Sequence, residues 1–264
     1  MADLRPWQIC RSCRVSYAAL REKSVRQMSP QVTTRQSEPW RRRLDLPNYQ
    51  IAEAARYAQI SSQTVAAWHK IETPTLSHKK QRAALSYLQL IEVAVVAKFR
   101  KAGISLKRIR DAREYIMKQL KVEHPFAQYR FKTEGKHLLL DYQEIEGEKG
   151  RGKHLVADQG GQLEWNEIVG PLLKGFEYEH DGIVIRWYVV GPSSPIVIDP
   201  RLSFGAPTVN GTATWVIAGR WNAGETMSEI AEDFRLDKKL VRQALEFEGL
   251  SSRKRGKSSR GLLH

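Results

Sequence analysis

At 264 residues the chain is long enough to hold roughly two or three modules with cores of their own. It has no run of about 18 apolar residues, which excludes a membrane-spanning helix, and its N-terminus lacks the apolar stretch of a secretory signal, so a cytoplasmic protein is expected. The formal charge of +14 is spread unevenly: residues 47–122 carry fourteen basic against five acidic groups, and residues 123–250 carry fourteen against twenty. A basic helical half joined to an acidic remainder suits a protein that holds nucleic acid with one part and another partner with the other.

Residues 1–46 show no sustained hydrophobic period, are rich in Arg, Ser and Gln, and are broken by Pro30 and Pro39. They are expected to form a disordered basic segment, within which Met28 offers an alternative start. Cys10 and Cys13 make a lone C-x-x-C with no second pair and no nearby histidine, short of the four ligands of a structural zinc site, so no metal is expected. Trp40-Arg41-Arg42-Arg43 reads either as a solvated stretch or as a basic arm for a minor groove.

Residues 47–122 read as a DNA-binding domain. Ile51, Ala54, Ala55 and Ala58 recur at helical spacing, Gln59-Ile60 makes a turn, and the hydroxyls of Ser61-Ser62-Gln63-Thr64 can cap a second helix with Val65 and Trp68 inward. This is helix-turn-helix spacing, which places the start of the second helix in a major groove. Ser62, Gln63, Thr64 and Ala67 are then expected to face base edges, and His69 and Lys70 to meet phosphates. A helical hairpin follows. Leu85, Leu88, Leu90, Ile91, Val95, Val96 and Phe99 give its first helix an apolar side, Gly103 ends that helix, and Ser105 caps the next, where Leu106, Ile109, Ala112, Ile116 and Leu120 align. Lys98, Arg100, Lys101, Lys107, Arg108, Arg110 and Arg113 crowd the hairpin, a density that favours a phosphate surface, with Lys107, Arg108 and Arg110 assigned to DNA.

Tyr49, Ile51, Glu53, Ala55, Ile60, Ser61, Thr64, Val65 and Trp68 together resemble the opening of MerR-type regulators, with Ala66-Ala67 standing where that family has a basic and an aromatic residue. The resemblance implies a winged helix-turn-helix front, a long helical hairpin and a homodimer bound to operator DNA.

From residue 123 to 191 the pattern turns from helical to alternating, and a small α+β linker or dimerisation module is expected. Phe126, Tyr129 and Phe131, then His137 to Tyr142, read as strands; Trp165 to Leu173 reads as a short helix. Phe176–Glu179 and Ile183–Val189 read as a hairpin around Asp181-Gly182. Gly147 to Lys153 has the spacing of a phosphate loop up to the last position, where His154 replaces the hydroxyl that would hold Mg²⁺, so a polar hairpin loop is expected.

Residues 195–250 read as a strand at Ile196–Ile198 followed by three helices, through Trp215–Trp221, Ser228–Phe234 and a third capped by Asp237, a tri-helical unit that repeats helix-turn-helix spacing. Glu225, Glu229, Glu232 and Asp233 argue against a second DNA-reading surface there. Ile198-Asp199-Pro200, Phe204-Gly205, Pro207, Gly211-Thr212, Gly224-Glu225, Ile230-Ala231, Asp233-Phe234, Ala244-Leu245 and Phe247-Glu248 resemble the DUF433 family, with Ala213-Thr214 where members carry a basic and an aliphatic residue. A MerR-like front joined to such a tail resembles VapB-type antitoxins, which implies a PIN-like ribonuclease toxin as partner.

The last stretch, 251–264, carries Arg253, Lys254, Arg255, Lys257 and Arg260 and no acid, and is expected to be disordered alone. It reads either as a solubilising tail or as a toxin-binding segment that docks by charge onto clustered carboxylates. The seven histidines, His69, His78, His124, His137, His154, His180 and His264, are scattered, and no nucleophile, base and orienting acid form an arrangement, so no catalytic residues, no cofactor and no enzyme are expected. The expectation is thus an α+β antitoxin that neutralises its toxin and regulates its own operon; the alternative is a MerR-like transcriptional regulator with a small-molecule effector.

Overall fold

The computed structural model describes residues 38–69, 75–76, 84–128, 131–134, 137–141, 154–156, 162–164, 173–179 and 181–250. Cys10, Cys13, Met28, Lys70, the loop at 147–153, the helix expected from Trp165 and the tail from Arg253 to Arg260 lie outside them. The chain divides into two units, Met1–Arg41 and Arg42–His264. In the first, the Arg41 guanidinium lies over the Trp40 ring at 4.6 Å and pairs with Glu38 at 3.2 Å.

The second unit is α+β. Its described helices are α1 (Ile51–Ala58), α2 (Ser62–Trp68), α3 (Tyr87–Lys101), α4 (Leu106–Leu120), α5 (Pro125–Gln128), α6 (Thr214–Asn222), α7 (Met227–Asp233) and α8 (Lys238–Phe247). One antiparallel meander joins β1 (Phe131–Glu134), β2 (His137–Asp141), β3 (His154–Val156) and β4 (Gln162–Glu164) in chain order. A second joins β5 (Phe176–Tyr178), β6 (Val184–Tyr188), β7 (Ile196–Ile198), β8 (Pro207–Val209) and β9 (Thr212–Ala213), again in chain order.

Local chemistry sets the helix ends. The Gln50 N–H donates to Glu53 Oε2 at 2.7 Å at the start of α1, and Gln59, at φ 56°, ends it in the left-handed region. Ser61 Oγ accepts from the Thr64 N–H at 3.1 Å and starts α2; Ser86 and Ser105 do the same for α3 and α4. Each bond satisfies an amide that the first helical turn leaves without a partner. The fold also begins earlier than Pro47, because Leu44 is buried and its carbonyl accepts from the Leu88 N–H.

The α3 helix is the centre of this half. Leu88, Leu90, Ile91, Val93, Val95, Val96 and Phe99 are all buried, so the helix is covered all round by its own chain, as a helix apolar on every side must be. Tyr57, Val65 and Trp68 of α1 and α2, and Ile109, Ala112 and Ile116 of α4, are buried as well. Phe126, expected in a strand, instead lies in α5. Pro125 at the first helical position suits the fixed proline φ, and the fully buried Phe126 ring meets Phe99 edge-on at 5.7 Å.

The β5–β6 hairpin turns where the sequence places it. Asp181 Oδ1 accepts from the Ile183 N–H at 3.2 Å, and Gly182 has φ 82°, with the Gln128 carbonyl 2.3 Å from where a Cβ would stand. Only glycine meets both demands. The three C-terminal helices close over β7 and β8 around Ile196, Val209, Ile217, Ile230, Leu236, Val241 and Leu245.

Candidate nucleic-acid interface

Within the α1–turn–α2 pair α1 packs on α3 and on α2, and Ala54, Ala55, Val65 and Trp68 are buried, so the outer surface of the pair is fixed by a packed core. Ser62, Gln63, Ala66 and Ala67 are exposed along α2. Thr64 is half-buried and its Oγ1 lies 2.8 Å from Ser61 Oγ, which commits that hydroxyl to the cap. His69 is only 6% exposed at the C-cap of α2, so the far end of the helix turns its imidazole inward and not toward a phosphate. What α2 offers outward is one long amide, Gln63, one hydroxyl, Ser62, and two methyl groups. An amide can bond an adenine edge in two places, and methyl groups can meet a thymine methyl.

The basic residues of α3 and α4 prove unequal. Lys107 is exposed and pairs with Asp111 at 2.9 Å, one helical turn on, a pair weak enough to open to a phosphate. Arg108 is half-buried beside it. Arg110 donates from Nε to Thr75 Oγ1 at 3.2 Å, and the Thr75 N–H donates to the Trp68 carbonyl, so Arg110 is brought to the end of α2. Arg113, counted among the surface cations in the sequence, is buried: Nη2 donates to the Glu123 carbonyl at 3.1 Å, and Nε lies 4.0 Å from the fully buried Glu92. Lys98 sits over the Phe176 ring at 5.6 Å, and burial, with Lys101 adding, lowers its pKa. Arg100 donates to the Ile104 carbonyl. Much of the charge that suggested a phosphate surface serves the chain itself.

A cluster that the sequence reading did not single out lies beneath. Glu92 Oε2 is 3.1 Å from His124 Nδ1, and both side chains are buried with Arg113. Burial alone would lower the His124 pKa; the hydrogen bond and charge of Glu92, with Glu123 and Asp45 adding, hold it above the usual histidine value. The signal was present in the sequence as one glutamate inside the apolar run Leu90-Ile91-Glu92-Val93-Ala94-Val95-Val96, since a carboxylate there must find partners or stay neutral.

Front and back of the unit are joined by the residues that mark the C-terminal family likeness. Asn48 Nδ2 donates to the Phe204 carbonyl at 2.9 Å, and the Tyr49 hydroxyl to the Gly205 carbonyl at 2.8 Å. Gly205 has φ 81°, and a Cβ there would fall 2.1 Å from the Tyr49 hydroxyl oxygen. Arg56 bonds the Phe247 carbonyl at 3.3 Å and Glu248 at 3.1 Å, while Tyr57 and Phe247 stack at 6.0 Å. Asp199 takes Arg201 at 2.6 Å and Arg186 at 3.4 Å; burial would raise its pKa, but the Arg201 bonds outweigh it and hold the carboxyl below the usual range.

The architecture is that of an α+β chain in which a helix pair with an exposed polar second helix is fixed to a C-terminal tri-helical unit. Residues 196–247 match the model of a family described as "Protein of unknown function (DUF433)". The chain is 28% identical over 232 residues to "Putative antitoxin VapB45" of Mycobacterium tuberculosis (strain ATCC 25618 / H37Rv), covering 77% of this chain and 95% of that protein. The crystal structure of Rv2018 from Mycobacterium tuberculosis aligns with a TM-score of 0.54 and 25% identity, over 77% of this chain and 99% of that one. In sequence, then, the chain is antitoxin-like over most of its length. Among the described residues no group of three or more His, Cys, Asp or Glu is placed to hold a metal ion, and no helix is long and apolar enough to cross a membrane.

Proposed function

We propose that this chain is a cytoplasmic antitoxin, without catalytic activity of its own. It neutralises a PIN-like ribonuclease toxin by direct binding and regulates its own operon by sequence-specific DNA binding as a homodimer. The observation that carries the reading is the likeness to "Putative antitoxin VapB45", which covers 77% of this chain and leaves little of that relative unmatched. The MerR-like α1–α2 pair is the DNA-reading element in this proposal, with Gln63 and Ser62 at base edges and Lys107 and Arg108 at phosphates. The basic tail from Arg253 to Arg260 is the segment assigned to the toxin.

Co-purification with the product of the adjacent gene, followed by gel shift on the chain's own promoter with and without that product, tests the proposal. A stable complex that shifts the promoter is the expected result; a shift with no partner would favour a MerR-like regulator with a small effector. Within the DNA arm, Gln63→Ala should cost about 1–3 kcal/mol of discrimination between operator and random duplex. Arg108→Ala should weaken both duplexes alike and reduce the salt slope. Equal losses on both duplexes for both variants would remove α2 as the reading helix.

A further inference from the structure

The acids of the tri-helical unit argue, in sequence, against a second DNA-reading surface there. The structure gives three of those acids partners of their own. Glu225 and Asp233 are both bound by Arg220, with Arg220 Nε to Glu225 Oε1 at 2.7 Å. Glu229 folds back on the start of its own helix, accepting from the Thr226 N–H at 2.7 Å and from the Thr226 hydroxyl at 2.8 Å. Three of the four acids thus have partners in or next to α7.

Lys238, Lys239 and Arg242 on the first half of α8, and Arg235 in the turn before it, are exposed. No side-chain ion pair or hydrogen bond joins any of them to a described residue. The stretch Arg235–Arg242 holds these four cations against one acid, Asp237, with Glu232 and Glu246 exposed to either side. The opposite face of α8 is held by buried Val241, Ala244 and Leu245, and its far end by the Tyr57–Phe247 stack. The basic half therefore projects from a fixed helix.

We infer that this face of α8 is a second contact for the DNA backbone, which binds phosphates without reading sequence. It rests on the DNA-binding part of the proposed function and adds a surface to it. Three observations favour duplex phosphates over a protein partner. First, α7, a short turn and α8 repeat the helix-turn-helix arrangement, with the cations on the first half of the second helix. Second, cations about one turn apart stand about 5–6 Å from each other, and a duplex strand carries a charge every ~3.4 Å of axis, so each cation can find a phosphate. Third, the large apolar residues that are exposed among the described residues, Leu46, Val190, Phe204 and Trp215, all lie off this helix, so the face lacks the apolar centre that anchors a protein interface.

The test is the salt dependence of binding by the full chain, on its promoter duplex and on a random duplex of equal length, followed by fluorescence anisotropy. For K238Q/K239Q/R242Q the slope of log K against log salt should become shallower by about 2–3 on both duplexes. The preference for promoter over random duplex should stay unchanged. K238R/K239R, which keeps the charge, should keep the wild-type slope, and circular dichroism should show all variants folded. A wild-type slope in the glutamine variant overturns the inference, and loss of co-purification with the adjacent gene product in that variant would then assign the face to protein. Should the wild-type chain bind both duplexes equally, the reading role of α2 falls while the slope still decides for α8. Should it bind neither, both readings fall.

Discussion

The α1–α2 and α7–α8 pairs are built alike and finished differently. Each is two short helices joined at a left-handed residue, Gln59 in one and Arg235 in the other. Outward, α2 presents Ser62, Gln63, Ala66 and Ala67, with no charge among them, whereas α8 presents Lys238, Lys239 and Arg242. Inward, the back pair rests on an apolar cluster centred on Ile230, Leu236 and Val241. The front pair rests on α3, which carries the buried Glu92 with His124 and Arg113. On the proposed reading, the difference separates two tasks that one helix pair elsewhere performs together. A surface of amides and methyl groups can distinguish bases but attracts DNA weakly; a surface of cations attracts any DNA but distinguishes nothing.

The largest break in the comparison comes from the buried carboxylate. Glu92→Ala leaves Arg113 and His124 buried without their counter-charge, and removal of one partner from a buried pair costs about 3–5 kcal/mol. Urea unfolding should show this loss, and a loss below 1 kcal/mol would mean that Glu92 carries little of the charge balance. The same cluster makes the front half responsive to pH. His124 is held above its usual value of 6.5 in the folded chain, so folding gains from its protonation. That gain is complete below the unfolded value and disappears as the pH rises through the folded one. The protein should therefore unfold at lower urea at pH 8 than at pH 6, and His124→Gln should flatten the difference. An unchanged pH dependence in that variant would exclude His124 as its source.

These contrasts were legible in the sequence to different degrees, for reasons that lie in the range of the interactions. Caps are local, so Ser105, and a cap within the stretch Ser61-Ser62-Gln63-Thr64, could be placed from the hydroxyls and the apolar spacing that follows. The hairpin around Asp181-Gly182 was equally open, because its turn is made by adjacent residues. Phe126 was misplaced because its aromatic spacing resembles a strand, while its position is decided by Phe99 from a helix far back in the chain. The candidate site suffered most. A count of cations in the α3–α4 hairpin could not tell Lys107, on the surface, from Arg113, turned inward to Glu92 and the Glu123 carbonyl. The partners of the acids in the tri-helical unit were equally hidden, since the pairing of Glu225 and Asp233 with Arg220 depends on how its helices pack.

The smallest effect concerns the joint that fixes one pair to the other. Tyr57 and Phe247 stack at 6.0 Å with an interplanar angle of 20°, and the Arg56 guanidinium lies 5.0 Å from each ring centroid. Such an aromatic pair is worth about 0.5–1.5 kcal/mol beyond the area it buries. A double-mutant cycle of Tyr57→Leu and Phe247→Leu on urea unfolding should return a coupling of about that size. The informative readout is DNA binding. If the two pairs grip one duplex from a common frame, loosening the joint leaves each surface intact but frees their separation. The double variant should then keep the promoter preference set by α2 while its affinity for promoter and random duplex falls together. A full wild-type affinity in a variant whose coupling has been lost would mean that the two pairs act on DNA independently, or that only one of them touches it.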